Sequence, residues 1–505
     1  MKCLAIDIGA ESGRGIEGWI EGGKLQIREV ARFPNSPVSV DGTLRWDIEA
    51  LASHVFSCVA AATDGLTSVG VDTWAIDYVL LDYRGQLIEL PYNYRDARTD
   101  GMMAEVFKII PRREIYEETG IQFLPFNTLF QLYAAKSMNS IDSKPLPEGE
   151  TGPTEQRWAG SQTPCPSRVE GPVSPRTGGG PEESSLESLP LNCANCFLTI
   201  PDYLNFLLLA GNRLPCCEFT NATTTQFLSW KTGKWAKDLL RKLEIPTNIF
   251  PDLVPPGTVL GSMSSGVKVI APACHDTGSA VAAVPAIGDG FAWVSSGTWS
   301  VMGIEVPSAV VTDASYEGNF TNEGGVGGTY RLSKNVMGLW LLQQCRATWA
   351  EAGHEYSYDE LASLAAKATG VVFDPDSADF LKPGDMSSRI VSRIGGKPDD
   401  VGFIVRSILE SLADKYRIVL SQLEELVGRP INRIHIIGGG SQNHLLNQLT
   451  ANACRRRVVA GPVEATAIGN LMMQMVALGE IGTIVEGREM IMRTFPVEVF
   501  EPNSG

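Results

Sequence analysis

Three short polar and glycine-containing stretches follow apolar runs that are typical of buried strands. In LAIDIGAESGRG, Asp7 ends the apolar run, and Ser12 and Gly13 come shortly after it. In FAWVSSGTWSVMGIE the polar turn covers 295–298, and in INRIHIIGGGSQN three glycines occupy 438–440. Such turns can present backbone N–H groups and hydroxyls to a phosphate, and the third also precedes a helix. One turn alone fits an ordinary hairpin equally well, but their occurrence in separate halves of the chain favours an anion site.

A fourth stretch, CHDTGSA at 274–280, places His275 and Asp276 inside an otherwise apolar segment. Burying an unpaired carboxylate is costly, so Asp276 needs a specific role. The local sequence leaves two roles open: Asp276 caps the helix that follows, or it is a base that the helix dipole keeps ionised. His275 either orients a substrate or packs.

Familiar nucleotide-binding fingerprints are absent from the sequence. The Gly-Lys pairs at 23–24, 233–234 and 396–397 are followed by Leu, Trp and Pro, so there is no Walker A loop. GGGSQN lacks the third glycine of a dinucleotide fingerprint. The single C-x-x-C, at 193–196, has no second pair, and ten cysteines with five histidines favour reduced thiols over a metal site.

Bulk composition narrows the function classes. With 505 residues, of which 44% are hydrophobic and 20% charged, the chain is long enough for two domains. A net charge of −16 argues against nucleic acid as a partner. The most apolar long stretch carries Asn470, Gln474 and Glu480, which argues against a membrane partner. The N-terminus lacks a signal-peptide pattern, so we expect a cytoplasmic protein.

Changes in composition predict the domain organisation. The segment at about 141–195 is rich in Pro, Gly, Ser and Glu, and we expect a disordered insertion there, with a lid or a partner-binding segment as the alternative. The Pro- and Gly-rich stretch PDLVPPGTVLGSM predicts a junction that divides the chain into domains 1–255 and 256–490. VGFIVRSILESLADKYRIVLSQLEEL predicts a long amphipathic helix. Asn335 and Gln343 are eight residues apart, which would place them on one face of a helix.

Nine stretches of the sequence resemble, in the same order, the motifs of a known family: VDTWAIDYVLLD, YRDART, GIQFLPFNTLFQL, IPDYLNF, TNATTTQ, HDTGSAV, SSGTWS, KNVMGLWLLQQ and GGGSQNHLLNQLTANA. Together they resemble the FGGY carbohydrate kinases, a branch of the actin, Hsp70 and sugar-kinase superfamily. The resemblance runs to about residue 475 and lacks a counterpart only near 141–195. It implies an α/β fold of two ribonuclease-H-like domains flanking an active-site cleft, with sugar on the first domain and ATP on the second. The activity it implies is phosphorylation of L-rhamnulose at O1, with ATP and Mg²⁺.

The resemblance also implies roles for individual residues. ATP contacts are implied at Ala10, Glu11, Ser12, Gly13, Arg14, Thr298, Asn335, Gln343 and Gly439. Sugar contacts are implied at Ala75, His275, Asp276 and Thr277, with Asp276 as the catalytic base. Asp7 resembles the superfamily carboxylate that holds a metal-bound water, although a turn-capping role is the alternative. Thr450 replaces the first cysteine of a C-x-x-x-C pair ending at Cys454, so no disulfide is implied.

One departure and two alternatives stay open. The family has a glycine where this chain has Ala75, so the preferred ketose is not settled. The chain could therefore phosphorylate another ketose, such as L-fuculose or xylulose. It could also be a sugar or nucleotide sensor that kept the fold, although Asp276 and the phosphate loops argue against that. The implied partners are a small-molecule ketose and ATP, and the oligomeric state is open.

Overall fold

A computed structural model describes residues 1–62, 64–141, 190–210 and 213–503. The predicted disorder of 141–195 therefore falls almost entirely on 142–189, which lie outside the described residues. At the C-terminal end of that segment, Pro190–Cys193 forms a helical turn, so regular structure resumes before residue 195.

In the described residues, strands and helices occur both in runs and in alternation. The strands are β1 (Lys2–Ile8), β2 (Ser12–Glu21), β3 (Lys24–Pro34), β4 (Pro37–Val40), β5 (Thr43–Trp46), β6 (Leu66–Thr73), β7 (Tyr78–Leu81), β8 (Cys196–Thr199), β9 (Cys216–Glu218), β10 (Leu228–Ser229), β11 (Lys234–Trp235), β12 (Asp252–Val254), β13 (Thr258–Ser262), β14 (Lys268–Ala271), β15 (Phe291–Ser296), β16 (Trp299–Val306), β17 (Thr321–Gly324), β18 (Tyr330–Met337), β19 (Arg433–Ile437), β20 (Arg457–Ala460) and β21 (Glu498–Phe500).

The helices vary widely in length, from single turns to 27 residues. They are α1 (Ile48–Ala61), α2 (Met102–Ile109), α3 (Arg112–Thr119), α4 (Thr128–Ile141), α5 (Pro190–Cys193), α6 (Ile200–Leu208), α7 (Phe219–Ala222), α8 (Lys237–Lys242), α9 (Asp276–Ala282), α10 (Asp313–Glu317), α11 (Trp340–Glu351), α12 (Tyr358–Lys367), α13 (Met386–Ile394), α14 (Val401–Val427), α15 (His444–Cys454), α16 (Ala465–Ala477) and α17 (Ile484–Thr494).

Two mixed sheets organise the fold, and both are built in the same way. The first has the order β13-β14-β6-β1-β2-β3, and the second β17-β18-β16-β15-β19-β20-β21. In each sheet the leading strand, β1 or β15, pairs antiparallel with the next strand through a tight turn and parallel with a later strand, β6 or β19. The two turns, β1–β2 and β15–β16, therefore occupy equivalent positions in the two halves.

The sheet boundary differs from the predicted domain junction at residue 255. Both β13 and β14 follow that position, yet β14 pairs in parallel with β6, with Val269 opposite Val69. The first sheet thus extends to Ala271, and the second begins at Phe291. The Pro- and Gly-rich composition at 251–263 marks a turn into an edge strand, which looks the same in sequence as a linker.

The helix α14 forms as its sequence pattern predicts. Asp400 caps its first turn by accepting a hydrogen bond from the Phe403 N–H, and Gly428 ends it with a φ of 65°, a conformation that favours glycine. Its apolar residues recur every three to four positions, including the buried Ile404, Ile408 and others along the same face. This face packs against the second sheet.

A separate core lies where the two halves meet. Helices α9 and α16 pack against each other, and α16 also contacts β1 and β6 of the first sheet. Residues from both sheets contribute to this core, among them Ala5 from β1 and Trp293 from β15. Gly469 of α16 faces Ser279 of α9 so closely that an added methyl group would overlap the Ser279 carbonyl oxygen. The position of α9, which begins at Asp276, thus depends on this contact.

Among the described residues, no helix combines the length and apolar character needed to cross a bilayer.

Candidate active site

A cavity of about 340 Å³ opens between the two halves of the chain. Eleven of the fourteen residues predicted from the sequence line it: Asp7, Ala10, Ser12, Arg14, Ala75, His275, Asp276, Thr277, Thr298, Asn335 and Gly439. Glu11 and Gln343 lie on an adjoining groove, where both contact Thr298: its Oγ1 donates to Glu11 Oε1 at 3.2 Å and accepts from Gln343 Nε2 at 3.3 Å. Gly13 is buried in β2 against the Phe33 ring and does not line the cavity.

Asp7 and Arg14 form an ion pair at the first turn. The two residues lie opposite each other in the β1–β2 register, and Arg14 donates to Asp7 Oδ2 from Nε at 3.1 Å and from Nη2 at 2.8 Å. Arg14 Nη1 also contacts Glu464 Oε2 at 2.7 Å. Burial lowers the pKa of Arg14, but the two carboxylates outweigh it and the net pKa is raised. Arg14 is therefore firmly charged and held beside the cavity.

Asp72 is a buried carboxylate beside Asp7 that the sequence interpretation missed. It is the next-to-last residue of β6, lies directly opposite Asp7 in the parallel pairing, and is fully buried. Its Oδ2 accepts from Asn470 Nδ2 at 2.5 Å, and its Oδ1 has no hydrogen-bond partner among the described residues. Burial, followed by the charge of Asp7, raises the pKa of Asp72 well above its usual range. The sequence signal that could have identified Asp72 is its position at the end of the apolar run SVGVD.

The second turn and the glycine triplet pack on each other. Gly440 lies so close to Ser296 that a Cβ there would collide with its side chain. Gly439, by contrast, faces open space within 4 Å on the cavity side. Gly438 has a φ of 82°, which an L side chain adopts rarely. Gly439 therefore leaves room for a ligand to approach the backbone, whereas Gly440 is required for packing against Ser296.

Asp276 begins α9, but it is not the N-cap residue considered from the sequence. His275 holds the N-cap position with an extended backbone, and Asp276 is the first helical residue. Its Oδ1 accepts hydrogen bonds from the Thr277 N–H and from Thr277 Oγ1 at 3.1 Å. Burial raises the pKa of Asp276. The neighbouring His275 lowers this pKa and the charge of Asp7 raises it, and the net pKa lies above its usual value. Its carboxylate is 29% exposed and lines the cavity, so it can reach a ligand.

Residues of the segment 74–77 line another side of the cavity, and one of them has an unusual backbone conformation. Ile76 has a φ of 71°, which is rare for a β-branched residue and is held by Thr128 Oγ1 donating to the Ile76 carbonyl at 2.6 Å. Asp77 is buried and accepts from Trp46 Nε1 at 2.6 Å and from Trp74 Nε1 at 3.0 Å. Burial raises the pKa of Asp77 to about 6. This carboxylate orders the loop that presents Ala75 to the cavity.

The structure corrects the expected placement of Asn335 and Gln343. Asn335 lies on β18 and Gln343 on α11, so the two do not share a helical face. Gly338 separates the strand from the helix, and a Cβ at this glycine would lie 2.6 Å from the Trp299 carbonyl carbon. That close approach breaks the apparent periodicity of KNVMGLWLLQQ. The Gln343 amide donates to Thr298 of the second turn, whereas the Asn335 amide donates to Gln122 Oε1.

Three further residues of the cavity region were not predicted. Gln122 bonds to Asn335 across the cavity, and Glu323 and Arg331 bond to His275. Gln122 lies within a stretch that marks the family resemblance, but nothing local indicates its partner. Glu323 lies in the fully buried strand TNEG, where charged and polar residues are unusual.

Comparison with known proteins places this site in a family. The model for the N-terminal domain of the FGGY family of carbohydrate kinases matches residues 188–277, and the model for its C-terminal domain matches 292–478. The rhamnulokinase of Bacteroides thetaiotaomicron is 40% identical, with 99% of this chain and 95% of the relative covered. The rhamnulokinase of Oceanobacillus iheyensis is 37% identical, with 98% and 97% covered.

Solved structures share the fold at low sequence identity. A ligand-bound xylulose kinase from Lactobacillus acidophilus matches with a TM-score of 0.73 at 15% identity, covering 99% of this chain and 94% of that one. A glycerol kinase from Plasmodium falciparum with ADP matches with a TM-score of 0.72 at 14% identity, with the same coverage. These matches confirm the predicted two-domain sugar-kinase fold.

Proposed function

The chain belongs to the FGGY family of carbohydrate kinases, and from this premise we propose that it transfers the γ-phosphate of ATP to the O1 hydroxyl of L-rhamnulose. The observation that carries the proposal is the position of Asp276, on the cavity wall between the equivalent turns of the two sheets. Relatives that share its length and more than a third of its residues bear the name rhamnulokinase.

Phosphoryl transfer requires alignment and neutralisation of phosphate charge more than covalent chemistry. In the proposed reaction, backbone N–H groups and hydroxyls of the β1–β2 and β15–β16 turns hold the ATP phosphates, and Ser12 and Thr298 of these turns both line the cavity. Gly439 leaves room for the nucleotide beside the second turn. Arg14 contributes a fixed positive charge near the first turn.

Asp276 supplies the base. Every hydrogen bond to its carboxylate from the described residues ends on Oδ1, which leaves Oδ2 to accept the proton of the O1 hydroxyl as that oxygen attacks the γ-phosphate. The raised pKa of Asp276 makes it a stronger base than an exposed carboxylate. The carboxylate returns the proton to solvent after the product leaves.

The donor set fits a magnesium ion that is bound mainly through phosphate. Magnesium keeps several waters and uses one or two protein carboxylates beside substrate phosphates. Asp7 lines the cavity, and its hydrogen bonds from the described residues all end on Oδ2, which leaves Oδ1 for a metal-bound water. No cluster of three acidic, histidine or cysteine ligands occurs in the described part of the chain. Bound Mg²⁺ would supply neutralisation of phosphate charge.

Ketose preference is the finer part of the proposal, and Ala75 bears on it. The assay measures ADP release with L-rhamnulose, L-fuculose and xylulose at matched concentrations, and identifies the product by phosphorus NMR. We expect kcat/KM for L-rhamnulose to exceed that of the other ketoses about tenfold or more, a preference that one or two hydrogen bonds to sugar hydroxyls supply. Ala75→Gly should change KM for the ketose and leave KM for ATP within twofold.

Other results would identify a different function. Preferential turnover of L-fuculose or xylulose would make the chain a kinase for that ketose. Nucleotide binding without ADP release for any ketose would replace the kinase proposal by a sensor.

A further inference from the structure

Arg331 and Glu323 form a buried ion pair on neighbouring strands. They lie directly opposite each other in the β17–β18 register, and Arg331 Nη2 is 3.1 Å from Glu323 Oε2. Arg331 is 0% exposed and Glu323 is 5% exposed, while Arg331 Nε donates to the Gly324 carbonyl at 2.9 Å. Well-packed apolar residues in place of a buried ion pair often stabilise a core to an equal or greater extent, so stability alone does not explain these charges. The charges therefore point to a role beside the cavity.

Both members of the ion pair contact His275. Arg331 Nη2 lies 3.0 Å from His275 Nδ1, and Glu323 Oε2 lies 3.2 Å from the same nitrogen. A guanidinium has donors only, so its hydrogen bond to Nδ1 requires that nitrogen to carry no proton. A neutral His275 then carries its proton on Nε2.

The protonated nitrogen faces the proposed base. His275 Nε2 lies 3.4 Å from Asp276 Oδ1, the same oxygen that accepts from Thr277. Catalytic hydrogen bonds are often long before substrate binds and shorten in the complex. Donation by Nε2–H adds a third hydrogen bond to Oδ1 and keeps Oδ2 directed at the reacting hydroxyl.

The opposite tautomer is electrostatically worse. A proton on Nδ1 would bond to Glu323, but it would also point an N–H group at the Arg331 guanidinium 3.0 Å away. It would leave a bare Nε2 facing the carboxylate of Asp276. Of the two neutral tautomers, the surroundings therefore favour the Nε2–H form.

From this geometry we propose that Arg331, neutralised by Glu323, is a positioning residue: it fixes His275 in the Nε2–H tautomer, and His275 in turn orients Asp276. The inference rests on the proposed function, since it assigns a purpose to the network in phosphoryl transfer. Arg331 touches neither substrate in this scheme and acts only through His275.

Histidine ring NMR tests the tautomer without reference to activity. The full chain is labelled with ¹⁵N at its five histidines, and His275→Gln assigns the His275 signals. We expect a protonated Nε2 and an unprotonated Nδ1 in the native protein. The double variant Arg331→Met/Glu323→Gln, which removes both charges at similar volume, should show a mixture of tautomers. A protonated Nδ1 in the native protein would overturn the inference.

Kinetics test the consequence. The same double variant should lose about tenfold or more in kcat, part of what a well-placed base contributes, while KM for ATP stays within twofold. The control Arg456→Met/Glu424→Gln removes a pair that joins α14 to the residue before β20, with Nη2 and Oε1 3.0 Å apart, and should keep kcat within twofold. An unchanged kcat in the first variant would contradict the positioning role.

Failure of the two proposals can be told apart. If the native protein releases no ADP with any ketose, the proposed function fails while the tautomer measurement still stands. If the double variant does not fold, the native NMR result decides the tautomer alone.

Discussion

Gln122 and Asn335 join the two sides of the cavity through paired hydrogen bonds. Gln122 Oε1 accepts from the Asn335 backbone N–H at 2.8 Å and from Asn335 Nδ2 at 3.0 Å, and Gln122 Nε2 donates to the Asn335 carbonyl at 3.3 Å. Gln122 precedes α4 in the first half of the chain, whereas Asn335 lies on β18 of the second sheet. One side chain thus satisfies the backbone of a strand in the opposite half.

Gln122→Ala should weaken closure of the two halves around the substrates. The variant loses up to three hydrogen bonds, each worth about 1 kcal/mol, so KM for the ketose should rise by about tenfold to a hundredfold. Steady-state kinetics with each substrate varied in turn measure the effect. Gln448→Ala, which removes an amide that bonds mainly to the C-terminal segment, is the control and should leave both KM values unchanged. Equal KM values in Gln122→Ala and the native protein would exclude the coupling.

Asp276→Asn should abolish most turnover while nucleotide binding persists. Asparagine keeps the size of the side chain and one oxygen for the Thr277 N–H, but it cannot accept a proton from the sugar hydroxyl. We expect kcat to fall by about two orders of magnitude or more, and the dissociation constant of ADP to change less than threefold. ADP release and calorimetry measure the two quantities. Near-native turnover would remove Asp276 as the base.

Gly469→Ala should damage both stability and activity. The added methyl group meets the Ser279 carbonyl oxygen, which belongs to backbone and cannot move without displacing α9. We expect destabilisation of about 1–3 kcal/mol and a loss of kcat, because α9 begins at Asp276. Thermal unfolding and ADP release provide the readouts. At Gly290 a Cβ would meet nothing closer than 3.8 Å, so Gly290→Ala is the matched control.

The stability of the protein should fall as the pH rises from 6 to 9, in part because of Asp202. Burial raises the pKa of Asp202 to about 8, with the neighbouring Glu218 adding to the effect, whereas an unfolded aspartate titrates near 3.9. The folded state therefore holds the extra proton between about pH 4 and pH 8. This contribution is complete below that window and is lost as the pH rises through 8.

Asp202→Asn removes that titration. The variant should lose less of its unfolding free energy than the native protein does between pH 6 and pH 9, as measured by urea titration at each pH. Asp238→Asn, at a side chain that is 92% exposed, should keep the native slope. Parallel pH slopes for Asp202→Asn and the native protein would show that this carboxyl does not titrate in the window.

Local patterns in the sequence determined a large part of the fold and the outline of the site. The apolar run that ends at Asp7, the glycine turns and the apolar face of α14 are set by residues within a few positions of one another. Steric limits on the backbone and the burial of one face act over that same short range. For the same reason Asp276 could be placed at the start of a helix before any contact was known.

Only the tertiary structure decided which distant residues complete the site. Gln122 and Asn335 are 213 positions apart, and His275 and Arg331 are 56 apart, so no local period records either bond. Asn335 and Gln343 looked like one helical face because the eight-residue spacing fits, but the backbone contact at Gly338 overrides it. Hydrogen bonds and charges act through space, and the fold that brings these side chains together is decided by the packing of both halves at once.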